Sequence, residues 1–258
     1  MLNKSYIIFI FLCITISQEA LAQEVCGEVT YVYATHFSRD FERDFILYFN
    51  NSESNFQEVL ANKKSSIKEK DTGNGILRTV DSYNSSGIPD CYYYNLTNLY
   101  FRENHLDEEL LVKEEPFLWN WTITNETKKI GNFICTKAST TFRGRNYVAW
   151  FTQEVSLPYG PWKFYGLPGL ILEVLEKDGV FHLYAKKVTF SNKEVCDYDM
   201  NAVPELFSKT MTIDEYNIRK IELLKESFKQ LSSRLPKGSA PLILDENCTD
   251  CREEIERF

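Results

Sequence analysis

Two runs of alternating residues, Leu170–Lys177 (LILEVLEK) and Val180–Phe190 (VFHLYAKKVTF), meet at Asp178-Gly179. No other stretch leaves the chain less freedom. Successive side chains of a strand point to opposite faces, so each run presents one apolar face and one mixed face. An Asp-Gly pair between β-rich runs predicts a two-residue type I′ turn. That turn sets Lys177 opposite Val180, Val174 opposite Leu183 and Leu172 opposite Ala185. One face then carries Leu170, Leu172, Val174, Phe181, Leu183 and Ala185, which must be buried. The other carries Ile171, Glu173, Leu175, His182, Tyr184 and Lys186. It is mixed and amphipathic, and it is the candidate binding face. A one-residue slip would exchange the two sets, so the pattern specifies the register.

The chain enters this hairpin through Gly160-Pro161 and then Gly166-Leu167-Pro168-Gly169-Leu170-Ile171. Leu167–Leu170 reads as a type II turn, with Pro168 presetting φ and Gly169 taking the positive φ. Gly166 is expected to allow a close backbone approach. Nothing in this motif titrates, attacks or ligates, so its role is structural.

Other stretches also read as strands. Gly27–Thr35 alternates. Ile46–Phe49 and a segment from Phe56 flank a polar turn. Cys91–Arg102 holds two short aromatic strands around Asn95–Asn98. Phe133–Phe142 and Tyr147–Phe151 flank Arg143-Gly144. Asn62–Gly75 is polar and lacks periodicity, which predicts an exposed loop. The acidic Asp107–Glu115 reads as a solvated loop or edge. Thr212 and Glu215 form a capping-box pattern. Ile221, Leu224, Phe228, Leu231 and Leu235 then recur at helical spacing, and Pro236-Lys237-Gly238 ends the helix. The fold class expected is mainly β (α+β): a curved antiparallel sheet, an open or half β-barrel, with a C-terminal amphipathic helix packed on it.

The first 22 residues read as a secretory signal peptide: Lys4, the apolar run Tyr6–Ser17, and the A-x-A site Ala20-Leu21-Ala22. No small residue precedes Cys13, so no lipoprotein box is read. No later segment approaches the roughly 18 apolar residues of a membrane helix. Residues 23–200 form the expected β domain. Residues 201–258 form a helical segment and an acidic CxxC tail packed on the same domain. The expected product is exported, periplasmic or secreted. Its net charge of −8 argues against nucleic acid as a partner. Cys26, Cys91, Cys135, Cys196, Cys248 and Cys251 remain after cleavage, and an even count in an exported chain predicts disulfides.

Signals for chemistry are few. His36, His105 and His182 are the three histidines, and none lies in a zinc-binding pattern. No G-x-S-x-G elbow and no phosphate loop occur. Cys248-Thr249-Asp250-Cys251 is compact, but its acidic neighbours raise thiol pKa values, which favours a structural disulfide over redox or metal use. No catalytic, cofactor or metal residues are assigned. Six N-x-S/T sequons follow residue 22, at Asn50, Asn84, Asn95, Asn120, Asn125 and Asn247; they would be glycan acceptors in a eukaryotic secreted protein and chance matches in a bacterial one.

The pieces ETKKIGNFICTKASTTFRGRNYVAWFTQEV and GPWKFYGLPGLILEV resemble, in order, the core of the GLPGLI family of exported bacterial proteins. LYFNNSESNF resembles that family's amino-terminal part. The likeness is close over Glu126–Val174 and loose over Val29–Val188. The resemblance implies an envelope or secreted protein of a Gram-negative bacterium, and it supplies no catalytic residues. A similar bowl-shaped module is attached to some secreted peptide-N-glycosidases as an accessory part. The expected function is a non-catalytic binding or accessory module. It would hold an envelope protein or small ligand in the concave face, with no cofactor. The alternatives are an exported hydrolase with a dispersed site and a structural or assembly factor.

Overall fold

The computed structural model describes residues 25–36, 40–60, 66–71, 76–81, 87–106, 108–191, 198, 200 and 206–234. The expected signal peptide, the CxxC tail, Leu235 and Cys196 lie outside the described residues. The strands are β1 (Cys26–His36), β2 (Asp40–Phe49), β3 (Ser54–Glu58), β4 (Ser66–Asp71), β5 (Ile76–Asp81), β6 (Cys91–Tyr94), β7 (Leu99–His105), β8 (Glu108–Glu114), β9 (Thr122–Ile130), β10 (Phe133–Phe142), β11 (Arg145–Thr152), β12 (Leu170–Glu176) and β13 (Phe181–Ser191), and the helix is α1 (Ile213–Ser233). Eleven strands form one sheet in the order β8-β7-β6-β3-β2-β1-β13-β12-β11-β10-β9, and β4 and β5 pair separately. The sheet is antiparallel and not closed: β8 and β9 are its two edges. The expected loop at Asn62–Gly75 therefore contains a strand, β4. Its charged residues hid it, because no apolar alternation marks SIKEKD.

The predicted register of the central hairpin holds. Glu173 pairs with Tyr184, Val174 with Leu183 and Leu175 with His182. The turn differs. Gly179 has φ +78° and Asp178 is not in the positive-φ region. The Gly179 N–H donates to the Glu176 carbonyl at 2.9 Å. The Asp178 N–H donates to the buried Glu176 carboxylate at 2.9 Å. That side chain holds an ordinary turn followed by one left-handed residue, the longer hairpin connection. The two-residue turn with positive φ at both centres occurs instead at Arg143 (φ 44°) and Gly144 (φ 73°), between the paired Phe142 and Arg145.

Leu170, Leu172, Val174, Phe181 and Leu183 are all buried, as the alternation requires. Ile171, placed by that alternation on the open face, is also fully buried. The cause is a bulge: Trp150 pairs with Glu173, but the next pair is Phe151 with Ile171. An extra residue at Leu172 resets the alternation and bends the strand. Further register shifts occur between β1 and β13 and between β9 and β10. Together these shifts curl the sheet.

The motif before β12 is built differently from the expected type II turn. Gly169 is not in the positive-φ region; Gly166 is, at 86°. The Gly169 N–H reaches back only to the Leu167 carbonyl, at 2.8 Å. A Cβ on Gly169 would lie 2.1 Å from the Thr152 carbonyl oxygen, whereas one on Gly166 would meet nothing within 4 Å. The two glycines exchange their predicted roles. Pro168 fixes its own φ either way, so the sequence could not tell which neighbour turned the chain.

The segment Val155–Gly169 lies inside the curve. Tyr159, Trp162, Phe164, Tyr165 and Leu167 are buried. Their rings meet strands from both halves of the sheet: Trp162 meets Tyr92 of β6 at 6.3 Å, Tyr165 stacks on Tyr94 of β6 at 4.1 Å, and Phe164 meets Tyr147 of β11 at 5.1 Å. A single segment can touch both halves only if the sheet wraps around it. Trp119, which links the two edges, adds its indole N–H to the Lys163 carbonyl at 3.0 Å. The concave side is thus a filled aromatic core.

α1 starts at the predicted capping box. Thr212 accepts from the Glu215 N–H, and Glu215 accepts from the Thr212 N–H at 2.8 Å. Its buried residues are Tyr216 and Leu223, not the stripe read from spacing. Ile221, Leu224 and Phe228 are half-buried, and Leu231 is 47% exposed. Met211 sets this phase, because its backbone adds to the β8 edge, with its N–H donating to Leu111 O at 2.9 Å and its carbonyl accepting from Lys113 N–H at 2.9 Å. The helix begins two residues later with Tyr216 over Phe101, ring centres 5.2 Å apart.

Candidate functional site

The outer face of β11–β13 gathers most of the predicted binding face. Glu173 is central. Its Oε1 lies 3.2 Å from His182 Nε2, and its Oε2 accepts from Lys128 Nζ at 2.5 Å. Lys128 also sits 4.5 Å from the Trp150 ring, and His182 lies against Tyr184 at 4.8 Å. Burial works against ionisation of Glu173, but hydrogen bonds and charge from His182 and Lys128 hold its carboxyl below the usual range. Leu175 is 36% exposed beside this cluster. Lys186 turns away to Asp44, 2.9 Å distant. Strand pairing joins Glu173, Leu175, His182 and Tyr184; Ile171 belongs to the core. Lys128 and Trp150 were not foreseen. Trp150 stands directly opposite Glu173 in the ladder, and the β11–β12 pairing could have found it. Lys128 reaches the site from β9, across the curl.

The inner face holds a second ionic cluster that the sequence reading missed. Lys163, flanked by Trp162 and Phe164, is only 1% exposed. Its Nζ lies 3.0 Å from Glu114 Oε2 and 4.0 Å from the centre of the Phe101 ring. Glu114, the buried end of the acidic run, also accepts from Arg143. Nearby, Glu103 accepts from the Tyr92 hydroxyl at 2.7 Å and from the Tyr216 hydroxyl. Burial again opposes ionisation, but Lys220 and Lys163, together with the Tyr216 and Tyr92 hydroxyls, hold the Glu103 carboxyl below the usual range. A lone lysine within an aromatic run was the available signal. Lysine is almost never fully buried unless paired. Lys163 and Glu114 are sealed in and paired with each other, so the cluster anchors Val155–Gly169 to β7 and β8.

Elsewhere an open cleft of about 280 Å³ is lined by Ile46, Tyr48, Gln57, Val59, Leu60 and Pro89 among others. His36 and His105 end β1 and β7, apart from His182. Cys91 and Cys135 are free thiols, which corrects their place among the disulfide candidates. Each is buried within a different half of the sheet, Cys91 on β6 and Cys135 on β10. Burial pushes both thiols up to about 11, so they stay protonated at neutral pH and are poor nucleophiles. Cys26 is buried, and Cys196, Cys248 and Cys251 lie outside the described residues. Two sequons have a local structural use. Asn50 Oδ1 accepts from the Ser52 N–H at 2.8 Å, and Asn95 Oδ1 accepts from the Asn98 N–H at 2.8 Å. Each closes a hairpin turn in the way Asn favours.

Comparison with known proteins adds a family and a fold. A family described as a protein of unknown function (Porph_ging) matches residues 143–173, from the Arg143-Gly144 turn through the buried segment to Glu173. No curated protein matches the chain. The structure of PNGF-II in space group P21 aligns with a TM-score of 0.50 and 16% identity, covering 80% of this chain and 34% of that one. The C2 form aligns with a TM-score of 0.49 and 15% identity, covering 79% and 33%. An uncharacterised conserved protein from Thermus thermophilus aligns at 0.35 and 7% identity, covering 72% and 90%. The chain spans about a third of the length of PNGF-II. The likeness at a TM-score of 0.50 concerns the fold alone. The chain resembles an uncharacterised family over β11, the buried insert and the start of β12.

Proposed function

We propose that this chain is a non-catalytic binding or accessory module of an exported bacterial protein of the GLPGLI type. We further propose that its contact surface is the outer face of β11–β13 rather than the concave side. The observation that carries this reading is the filled interior. Val155–Gly169 occupies the concave side with buried aromatics, while Glu173, Leu175, His182 and Tyr184 stay partly exposed on the opposite face. An open face of half-buried aromatics with fixed charges suits a protein or ligand surface better than the enclosure that chemistry requires. Export rests on the signal-peptide pattern of residues 1–22.

The test is site-specific photocross-linking at position 175 in the producing cell, with position 209 as control. A partner captured at 175 and absent in the Tyr184→Asp background supports the reading. Equal capture at both positions, or none at 175, overturns it. A hydrolase would draw on the Glu173–His182 contact of 3.2 Å. Loss of a hydrolytic activity in a folded His182→Ala protein would favour that reading over the binding module.

A further inference from the structure

One buried contact is arranged for more than charge pairing. Lys163 Nζ and Glu114 Oε2 meet at 3.0 Å, with side chains 1% and 3% exposed. The contact is not aligned as a hydrogen bond: Glu114 Oε2 is buried and accepts none among the described residues. The ammonium therefore sits off the lone-pair directions of that oxygen. Arg143 donates to the other oxygen, Oε1, so the two oxygens of one carboxyl are held differently. The Phe101 ring centre lies 4.0 Å from Nζ and the Trp162 ring centre 5.3 Å, an apolar wall that keeps water out. Trp162 has φ 55°, a costly conformation for a bulky residue, and strain of this kind collects at functional positions. The side chain that follows it is Lys163. A second carboxylate, Glu103, lies close enough for the Lys163 charge to act on it. Lysine, two carboxyls and a guanidinium thus converge in a dry aromatic core.

We propose that Lys163 and Glu114 condense in the folded chain to an isopeptide bond, which ties the buried insert covalently to β8. Glu103 accepts one proton from the Lys163 ammonium, and the neutral Nζ attacks Glu114 Cδ. The Nζ–Cδ bond forms and the Cδ–Oε2 bond breaks. Nζ gives up a second proton, and Oε2 leaves with both protons as one water, so Glu103 ends as it began. Arg143 holds Oε1 while charge builds on it, and Oε1 becomes the amide oxygen. The fold holds the reactants in contact, which removes the entropic cost of bringing them together. The product buries a neutral amide in place of two charges.

Tryptic mapping of the full chain, denatured and reduced, tests this by mass spectrometry. Residues 114–128 and 146–177 should travel as one branched peptide, lighter than their sum by one water and uncut after Lys163. Cleavage after Lys163, with residues 114–128 recovered free, overturns the proposal. In refolded Glu103→Gln protein with parental β12 amide exchange, the branched peptide should accumulate about a hundredfold more slowly. Accumulation at the parental rate would overturn the proton transfer assigned to Glu103.

Discussion

The two faces of the β12–β13 hairpin come from the same two runs of sequence and meet opposite fates. The inner face carries Leu172, Val174, Phe181 and Leu183, sealed beneath Val155–Gly169. The outer face carries a carboxylate tied to one lysine and one histidine, with Leu175 beside it. Charge occurs on both sides of the sheet, but it is used differently. Inside, Lys163 and Glu114 are each at most 3% exposed and hold an insert in place. Outside, Lys128 retains 34% of its side-chain surface and His182 30%. Ion pairs of the first kind cannot lose one partner without leaving a buried charge. Those of the second kind add little to stability and remain available for contact.

The sharpest way to break the inner face is Gly169→Val. Its Cβ would overlap the Thr152 carbonyl carbon at 2.7 Å and its oxygen at 2.1 Å, and backbone cannot move aside as a side-chain tip can. A loss of at least about 4 kcal/mol, or failure to fold, is expected in urea unfolding. A variant within about 1 kcal/mol of the parent would mean that β12 does not pass this close to β11. Next is Lys163→Met, which keeps the aliphatic stem but strips Glu114 of one of two cations. About 3 kcal/mol should be lost. The loss should shrink when Glu114→Gln is added, because the two residues share one interaction.

Gly166→Ala separates the two glycines. The added methyl meets nothing, so only the positive φ is penalised, at about 1–2 kcal/mol by urea unfolding. Equal losses at Gly166 and Gly169 would erase the distinction between a turn glycine and a close-approach glycine. Smaller still is the acid response of Glu103. Its carboxyl is held below the usual range in the folded protein. A lowered folded-state pKa contributes stability that is complete above the unfolded value of about 4.3 and is lost as pH falls through the folded value. Glu103→Gln should therefore narrow the stability gap to the parent as pH drops below about 4.3. A gap that stays constant from pH 7 to pH 3 would show that the Tyr92 and Tyr216 hydroxyls, rather than ionisation, carry the contact.

What could be read from the sequence follows from the range of each interaction. Val174 opposite Leu183 was legible because alternation is local and a slip would expose the whole apolar set. The capping box at Thr212–Glu215 was legible for the same reason. Ile171 was misplaced because a bulge breaks the period and leaves no mark in composition. The helix stripe was real, but its phase was set by Met211 pairing with β8, a contact about 100 residues away in sequence. The candidate site divides the same way. Glu173, His182 and Tyr184 share a face by periodicity, whereas Lys128 arrives only through the curl of the sheet. The filling of the concave side was hidden for a related reason. FYGLPGL reads as a turn, and nothing in its spacing says that the aromatics before it point into the bowl.

Leu175→Asp should have the smallest effect and is the most direct probe of the outer face. Leu175 is 36% exposed and stands opposite His182 in the ladder, so the new carboxylate keeps its water and gains a neighbouring imidazole. Surface changes of this kind stay within about 0.5 kcal/mol. Leu183→Asp, one residue along the opposite strand but on the inner face, should by contrast unfold the protein, because an unpaired carboxylate would enter an apolar core. If Leu175→Asp left melting unchanged but abolished cross-linking from position 184, stability and recognition would be separated on opposite faces of one hairpin. If it melted the protein instead, Leu175 would belong to the packing of the sheet, and the contact surface would have to be sought elsewhere.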